Sequence, residues 1–177
     1  PVGNQDLVLR LGIEAAQTDG LILEFGVASG NSIRQLSSLT DQDIHGFDSF
    51  HGLPEAWCHL SEGAFTSNGV APEVPKNVHL HVGLFEESLP SFLKTYEYPI
   101  RLLSIDCDLY NSTKTVFDLL GDRIVSGTVI IFDEYLGYES WREHEFKAFQ
   151  ETVEKFGWQY DYLAVSLSAQ QTIVLIR

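Results

Sequence analysis

The sequence predicts an α/β fold in which a doubly wound, mostly parallel sheet of seven strands ends in an antiparallel hairpin. Two observations predict this architecture. Apolar, strand-like runs alternate with segments of helical spacing along nearly the whole chain. Near the end of the chain, two apolar runs are separated only by the polar stretch 166–171, and such a short connection joins antiparallel neighbours.

The elements follow in a regular order. A first helix, which Asn4 would cap, carries Leu7, Leu11 and Ala15 on one face. Strands are predicted near 21–25, 43–48, 78–82, 101–106, 128–133, 158–165 and 172–176. Further helices fit the spacing near 30–38, 86–95, 112–121 and 139–156.

Composition limits the classes of function. With 177 residues, of which 44% are hydrophobic, the chain is expected to form one domain over 1–177. The formal net charge of −14 argues against nucleic acid or an anionic membrane as a partner. Because neither a signal peptide nor a membrane-spanning run of about 20 residues is visible, we expect a cytoplasmic protein. Cys58 and Cys107 are not expected to pair.

The segment 23–30, LEFGVASG, joins an apolar strand to the start of a helix. Gly26 and Gly30 would let the backbone approach a ligand closely, and the free N–H groups of the helix would face it. Glu24 suits a cationic ligand better than a pyrophosphate, although a tight turn without any ligand has the same pattern. The cofactor-binding residues expected here are Glu24, Gly26, Ala28, Gly30, Asn31 and Ser32.

Acids also end three later strands. Asp48 ends the second strand about 20 residues after the glycine turn, where ribose hydroxyls are usually held, and Ser49 follows it. Asp106 ends the strand 101–106, and Asp133 and Glu134 lie at the end of 128–133. Carboxyl ends of parallel strands meet at one edge, so these acids are expected to form an oxygen-rich site for Mg²⁺. Turn caps or solvated loop acids are the structural alternative.

Four segments carry a family resemblance. The turn 23–30 resembles motif I, E-x-G-x-x-x-G, of the class I S-adenosylmethionine (SAM) methyltransferases. The segments GFDSFHGLPE (46–55), IDCDLYNST (105–113) and FDEY (132–135) resemble blocks of the macrocin O-methyltransferase family. Two positions depart from that family, because His51 replaces an acid or its amide and Glu134 replaces the second Asp of FDDY.

The resemblance implies a Rossmann-like methyltransferase fold and metal-assisted transfer of a methyl group from SAM to a hydroxyl oxygen of a small molecule, with a natural-product sugar as the expected acceptor. It implies that Gly83 and Phe85 enclose the purine and that Asp106 acts as both metal ligand and proton acceptor. An alkyl hydroxyl lies about 12 pKa units above an aspartate, a gap of roughly 16 kcal/mol, which a bound cation would reduce.

The segment 50–76, which breaks the alternation of strands and helices, is predicted to be a lid over the active site. Only one short helix precedes the glycine turn, so the pocket is expected to be open or completed by a second subunit in a homo-oligomer. Two other functions stay open at this stage. They are an NAD-dependent oxidoreductase, which would leave the acids of 106, 133 and 134 unused, and a SAM-binding or metal-binding protein without catalysis.

Overall fold

A computed structural model describes residues 5–177, so the proposed cap Asn4 lies outside the described residues. The strands are β1 (Leu21–Phe25), β2 (Ile44–Asp48), β3 (Val78–Val82), β4 (Ile100–Ile105), β5 (Val129–Phe132), β6 (Tyr160–Val165) and β7 (Thr172–Ile176). The α-helices are α1 (Gln5–Ala15), α2 (Asn31–Ser37), α3 (Phe85–Thr95), α4 (Tyr110–Leu120) and α5 (Glu145–Phe156).

The strands form one seven-stranded sheet in the order β3-β2-β1-β4-β5-β7-β6. Strands β1 to β5 pair in parallel, whereas β7 is antiparallel to both β5 and β6. The predicted α/β fold with its terminal antiparallel hairpin is therefore confirmed, and each predicted strand lies within two residues of an observed one.

Two helices differ from the prediction in detail. In α1, Val8, Leu9 and Ile13 are buried, whereas the face of Leu7 and Leu11 is exposed. The reason is Gly12, which packs so closely on the sheet that a Cβ there would lie 2.5 Å from Ile131 Cδ1. The last helix, α5, begins only at Glu145, because a short 3₁₀ turn, Trp141–Glu143, occupies part of the preceding segment.

Backbone hydrogen bonds link the carboxyl ends of the central strands to one another. The Gly26 N–H donates to the carbonyl of Phe47 at 3.0 Å, and the Asp106 N–H donates to the carbonyl of Phe25 at 2.8 Å. Gly26 has a φ of +90°, and a Cβ at this position would lie 1.6 Å from the Asp106 carbonyl oxygen. Only glycine fits here, and this close approach brings the first loop of the sheet against the loop after β4.

Two further expectations concern the whole chain. Cys58 and Cys107 are both free thiols, as expected. None of the helices within 5–177 is long and apolar enough to cross a bilayer. The cytoplasmic location and the single domain over 1–177 stay predictions.

Candidate functional site

A cavity of about 560 Å³ opens at the carboxyl ends of the parallel strands. One end is lined by residues that were predicted to bind the cofactor. The other end is lined by acids after β4 and β5 and by the 50–76 loop. The predicted site residues that line the cavity are Gly26, Ala28, Asp48, Ser49, Gly83, Phe85, Asp106 and Glu134.

Asp48 organises the cofactor end of the cavity. Its Oδ2 atom accepts hydrogen bonds from the backbone N–H groups of Val27 at 2.8 Å and Ala28 at 2.7 Å. Its Oδ1 atom accepts another from the Phe50 N–H at 2.7 Å. The carboxylate thus holds the glycine turn and the start of the 50–76 loop, and it has lone pairs left for a ligand hydroxyl.

Glu24 lies beneath the glycine turn and does not line the cavity. The side chain is fully buried, and its Oε1 atom accepts a 2.7 Å hydrogen bond from the hydroxyl of Ser32. Its Oε2 atom is buried and has no hydrogen-bond partner among residues 5–177. Burial raises the pKa of Glu24 to about 8, and the hydrogen bond from Ser32 only partly offsets that rise. In this geometry Glu24 supports the turn from below.

Gly30 and Asn31 also stand outside the cavity lining. Gly30 caps α2 with a φ of +78°, a left-handed conformation that glycine adopts without strain. The Asn31 side chain accepts a 3.0 Å hydrogen bond from the guanidinium of Arg34, which also binds the backbone of Ser29 and Glu73. Both residues therefore shape the turn, and their predicted contact with a cofactor stays a prediction.

The acids after β4 and β5 form a tight cluster whose membership differs from the predicted set. Carboxyl oxygens of Asp106, Asp108 and Glu134 all lie within 4.8 Å of one another. Asp133 stands outside this group, because the side-chain amide of Gln171 on the antiparallel hairpin donates a hydrogen bond to its carboxylate. The structure thus brings together two of the three predicted ligands and adds Asp108.

Asp108 is the member of this acid cluster that was not predicted from the sequence. It adopts a φ of +62°, a left-handed conformation that is unusual for a residue with a side chain but is tolerated by aspartate. Such conformations are often found at functional sites. Asp106 and Asp108 are separated by a single residue, and this spacing could have suggested that both belong to the site. The local sequence does not indicate, however, in which direction the Asp108 side chain points.

Burial and mutual repulsion raise the pKa of every acid in the cluster. Desolvation is the largest cause in each case, and it raises the pKa of Asp108 to about 6 and that of Glu134 to about 12. The pKa of Asp106 also lies well above its usual range, through burial and then through the charge of Asp133. The six acids among the described lining residues share the cavity with no lysine, arginine or histidine.

The 50–76 loop covers the acid end of the cavity. Glu55 accepts a 2.9 Å hydrogen bond from the side-chain amide of Asn111 on α4. Trp57 packs edge-on against Tyr138 with ring centroids 5.6 Å apart. His51 is exposed and lines a second, smaller cavity of about 440 Å³, which shares several lining residues with the first. The loop residues that line the main cavity are Gly52, Leu53, Pro54, Glu55, Trp57 and Phe65.

Comparisons with known proteins agree with this architecture. The profile of a family described as "Methyltransferase domain" matches residues 23–135, which include the glycine turn and the acid cluster. No curated protein sequence matches the chain.

Solved structures share the fold. The structure of CalS11, a calicheamicin methyltransferase, is 21% identical with a TM-score of 0.75, and the match covers 97% of this chain and 76% of CalS11. The O-methyltransferase NovP is 18% identical with a TM-score of 0.73 over 96% of this chain and 79% of its own. MycE, a mycinamycin-pathway methyltransferase solved with Mg and SAH, is 13% identical with a TM-score of 0.58, over 94% of this chain and 47% of its own.

Proposed function

The chain belongs to the methyltransferase-domain family, and from this premise we propose that it transfers a methyl group from SAM to a hydroxyl oxygen of a small molecule with the help of a divalent cation. One observation carries the proposal. A single cavity joins the Asp48-held glycine turn to the cluster of Asp106, Asp108 and Glu134. A nucleoside cofactor at one end would thus lie next to an oxygen-rich site at the other.

The cofactor end suits a nucleoside that carries a positive charge. Asp48 is placed to accept a ribose hydroxyl, because its lone pairs face the cavity beside the glycine turn. Gly83 and Phe85 line the same end, where an aromatic edge and a bare backbone would enclose a purine. The acids of the cavity favour a sulfonium over a pyrophosphate, which distinguishes SAM from NAD⁺ as the cofactor.

The acid end fits a cation such as Mg²⁺. Carboxylate oxygens are the ligands that Mg²⁺ prefers, and three are available within 4.8 Å of one another. The Oε2 atom of Glu134 is buried and has no hydrogen-bond partner within the described residues, so its lone pairs are available to a cation. Asp106, Asp108 and Glu134 would hold the ion, which would lower the pKa of an acceptor hydroxyl.

The chain's own residues would perform the remaining steps. The glycine turn and Asp48 would hold the cofactor in the cavity next to the acid cluster, close to a bound acceptor. Asp106 belongs to the acid cluster while its backbone packs against Gly26 of the glycine turn, and it would accept the proton that the acceptor hydroxyl loses. Trp57 and Phe65 line the cavity with apolar rings, which would help to exclude water from the transfer.

The acceptor is proposed to be a hydroxylated small molecule without negative charge, such as a sugar of a natural product. The acids at this end would repel an anionic acceptor, and none of the described lining residues is a lysine, arginine or histidine. The rings of Trp57 and Phe65 offer apolar surface to the carbon face of a sugar or to an aromatic ring.

Calorimetric titration with SAM, in the presence and absence of Mg²⁺, tests the cofactor half of this proposal. We expect SAM to bind and NAD⁺ not to bind. In Asp48→Asn, where one of the two acceptor oxygens becomes an NH₂ group, SAM affinity is expected to fall by at least about tenfold. Asp43→Asn is the matched control, since Asp43 is exposed at the opposite, amino end of β2, outside the cavity lining, and forms an ion pair with His79.

If NAD⁺ binds and SAM does not, the proposal is overturned and the alternative function, an NAD-dependent oxidoreductase, is favoured. If SAM binds, a screen of hydroxylated acceptors with radiolabelled SAM measures the transfer itself. Binding without transfer to any acceptor in the presence of Mg²⁺ would favour a SAM-binding protein without catalysis.

A further inference from the structure

Glu145 is a fully buried acid that the proposed function does not use. It is the first residue of α5, and neither of its carboxyl oxygens has a hydrogen-bond partner within standard geometry among the described residues. A buried carboxyl group without well-aligned hydrogen bonds is costly, so its presence at this position calls for a physical reason.

The position of Glu145 links the two loops that carry the acid cluster. Burial raises the pKa of the Glu145 carboxyl group well above its usual range, and the backbone N–H groups of Glu134 and Cys107, which face the carboxyl group, offset only part of that rise. Cys107 lies between Asp106 and Asp108, and Glu134 is itself a member of the cluster. One carboxyl group therefore stands against backbone N–H groups from the ends of β4 and β5.

These two backbone N–H groups make no backbone hydrogen bond of their own within the described residues. By contrast, the neighbouring N–H groups of Asp106 and Asp133 donate to the strand carbonyls of Phe25 and Ile105, at 2.8 and 2.9 Å. The strand ladder thus fixes the first residue of each loop but not the next one. Glu145 therefore faces each loop at the first residue whose N–H group is no longer bonded to a neighbouring strand.

From this geometry we infer that Glu145 is a positioning residue, which sets the distance between the β4 loop and the β5 loop and thereby shapes the cation site. The inference rests on the proposed function, since it concerns the metal site proposed there. Residues that orient metal ligands typically change metal affinity by about 10 to 100-fold when they are removed.

Glu145→Gln is the most informative variant because it keeps the shape of the side chain. An amide has only one acceptor oxygen, and its NH₂ group would oppose the second of the two N–H donors. It therefore cannot serve both loops at once. Glu145→Ala removes the group entirely, and Glu143→Gln is the matched control, since Glu143 is exposed two residues away and forms an ion pair with Lys147.

The test is the binding of Mn²⁺ alone, measured by electron paramagnetic resonance of the free ion, together with calorimetric binding of S-adenosylhomocysteine. In Glu145→Gln we expect the Mn²⁺ affinity to fall by about 10 to 100-fold, while the affinity for S-adenosylhomocysteine changes by less than about threefold. Glu143→Gln should match the wild type in both. Thermal unfolding confirms that each variant is folded, and Glu145→Gln carries the test if Glu145→Ala does not fold.

An unchanged Mn²⁺ affinity in folded Glu145→Gln would overturn the inference and leave the proposed metal site intact. A parallel loss of both affinities would overturn it as well, because it would show a general structural role. If the wild type itself does not bind Mn²⁺, the metal part of the proposed function fails together with the inference.

Discussion

The two ends of the cavity differ in how their polar groups are satisfied. At the cofactor end, the Asp48 carboxylate accepts three backbone hydrogen bonds, at 2.7 to 2.8 Å, without any ligand. At the acid end, the carboxyl groups of Asp106, Asp108 and Glu134 lie within 4.8 Å of one another and face no positively charged lining residue within the described chain. The first end is organised by the chain itself, whereas the second needs a cation or protons to balance it.

Asp106 gives the largest expected effect, because it serves the acid end while lining the cavity next to the cofactor end. In Asp106→Asn, we expect methyl transfer to fall by about 10³-fold or more, since the side chain can no longer accept the hydroxyl proton and binds a cation weakly. Affinity for S-adenosylhomocysteine should change by less than about threefold. The measurement is transfer from radiolabelled SAM beside calorimetric binding.

Asp122→Asn, an exposed substitution after α4, is the control for this variant. A loss of cofactor affinity as large as the loss of transfer would contradict the comparison, because it would assign Asp106 to the cofactor end.

Asp108 and Asp133 give the next largest effect, and together they decide which acids hold the cation. A cation that binds only the folded protein stabilises it by about 2.7 kcal/mol at 100 times its dissociation constant. We expect Mg²⁺ to raise the unfolding temperature of the wild type and of Asp133→Asn, but much less that of Asp108→Asn. The reason is that Asp133 is engaged by Gln171, whereas Asp108 belongs to the cluster.

Differential scanning fluorimetry over a range of Mg²⁺ concentrations measures this difference, and Ca²⁺ tests whether the site selects the smaller ion. If the Mg²⁺-dependent rise in unfolding temperature is lost in Asp133→Asn and kept in Asp108→Asn, the cation is bound by the ligands predicted from the sequence and not by the cluster with Asp108.

The same contrast explains how much the sequence could predict. Strand ends and the glycine turn follow from local patterns: apolar runs mark β1 and β4, and Gly26 is required by close approach to the Asp106 carbonyl. Because parallel strands place their carboxyl ends at one edge, the convergence of Asp48 and Asp106 on one cavity could be predicted as well.

The membership of the acid cluster could not be predicted, because it depends on contacts between distant parts of the chain. Asp133 accepts a hydrogen bond from Gln171, 38 residues later, which directly precedes the antiparallel strand β7. Asp108 enters the cluster through a left-handed backbone conformation that its sequence does not require. The buried position of Glu145 depends in turn on where α5 begins, six residues after the start predicted from the sequence.

Glu24 gives the smallest effect and the strongest challenge to the comparison. It lies beneath the glycine turn of the cofactor end, yet one of its buried oxygens has no hydrogen-bond partner in the described part of the chain, as is also true of Glu134 at the acid end. Burial raises its pKa from 4.5 to about 8 in the folded protein. A group with a raised pKa binds its proton more tightly when folded. Its contribution to stability is therefore complete below pH 4.5 and is lost as the pH rises through 8.

Glu24→Gln replaces the protonated carboxyl group with a neutral amide that does not titrate. Between pH 6 and pH 7, we expect the free energy of unfolding of the wild type to fall relative to that of Glu24→Gln, by at most about 1.4 kcal/mol. Urea unfolding at several pH values measures the difference, and Glu14→Gln, exposed on α1, is the control. A constant difference across that range would mean that Glu24 stays charged in the folded protein. The cofactor end would then also contain a buried carboxylate without a compensating positive charge, as the acid end does.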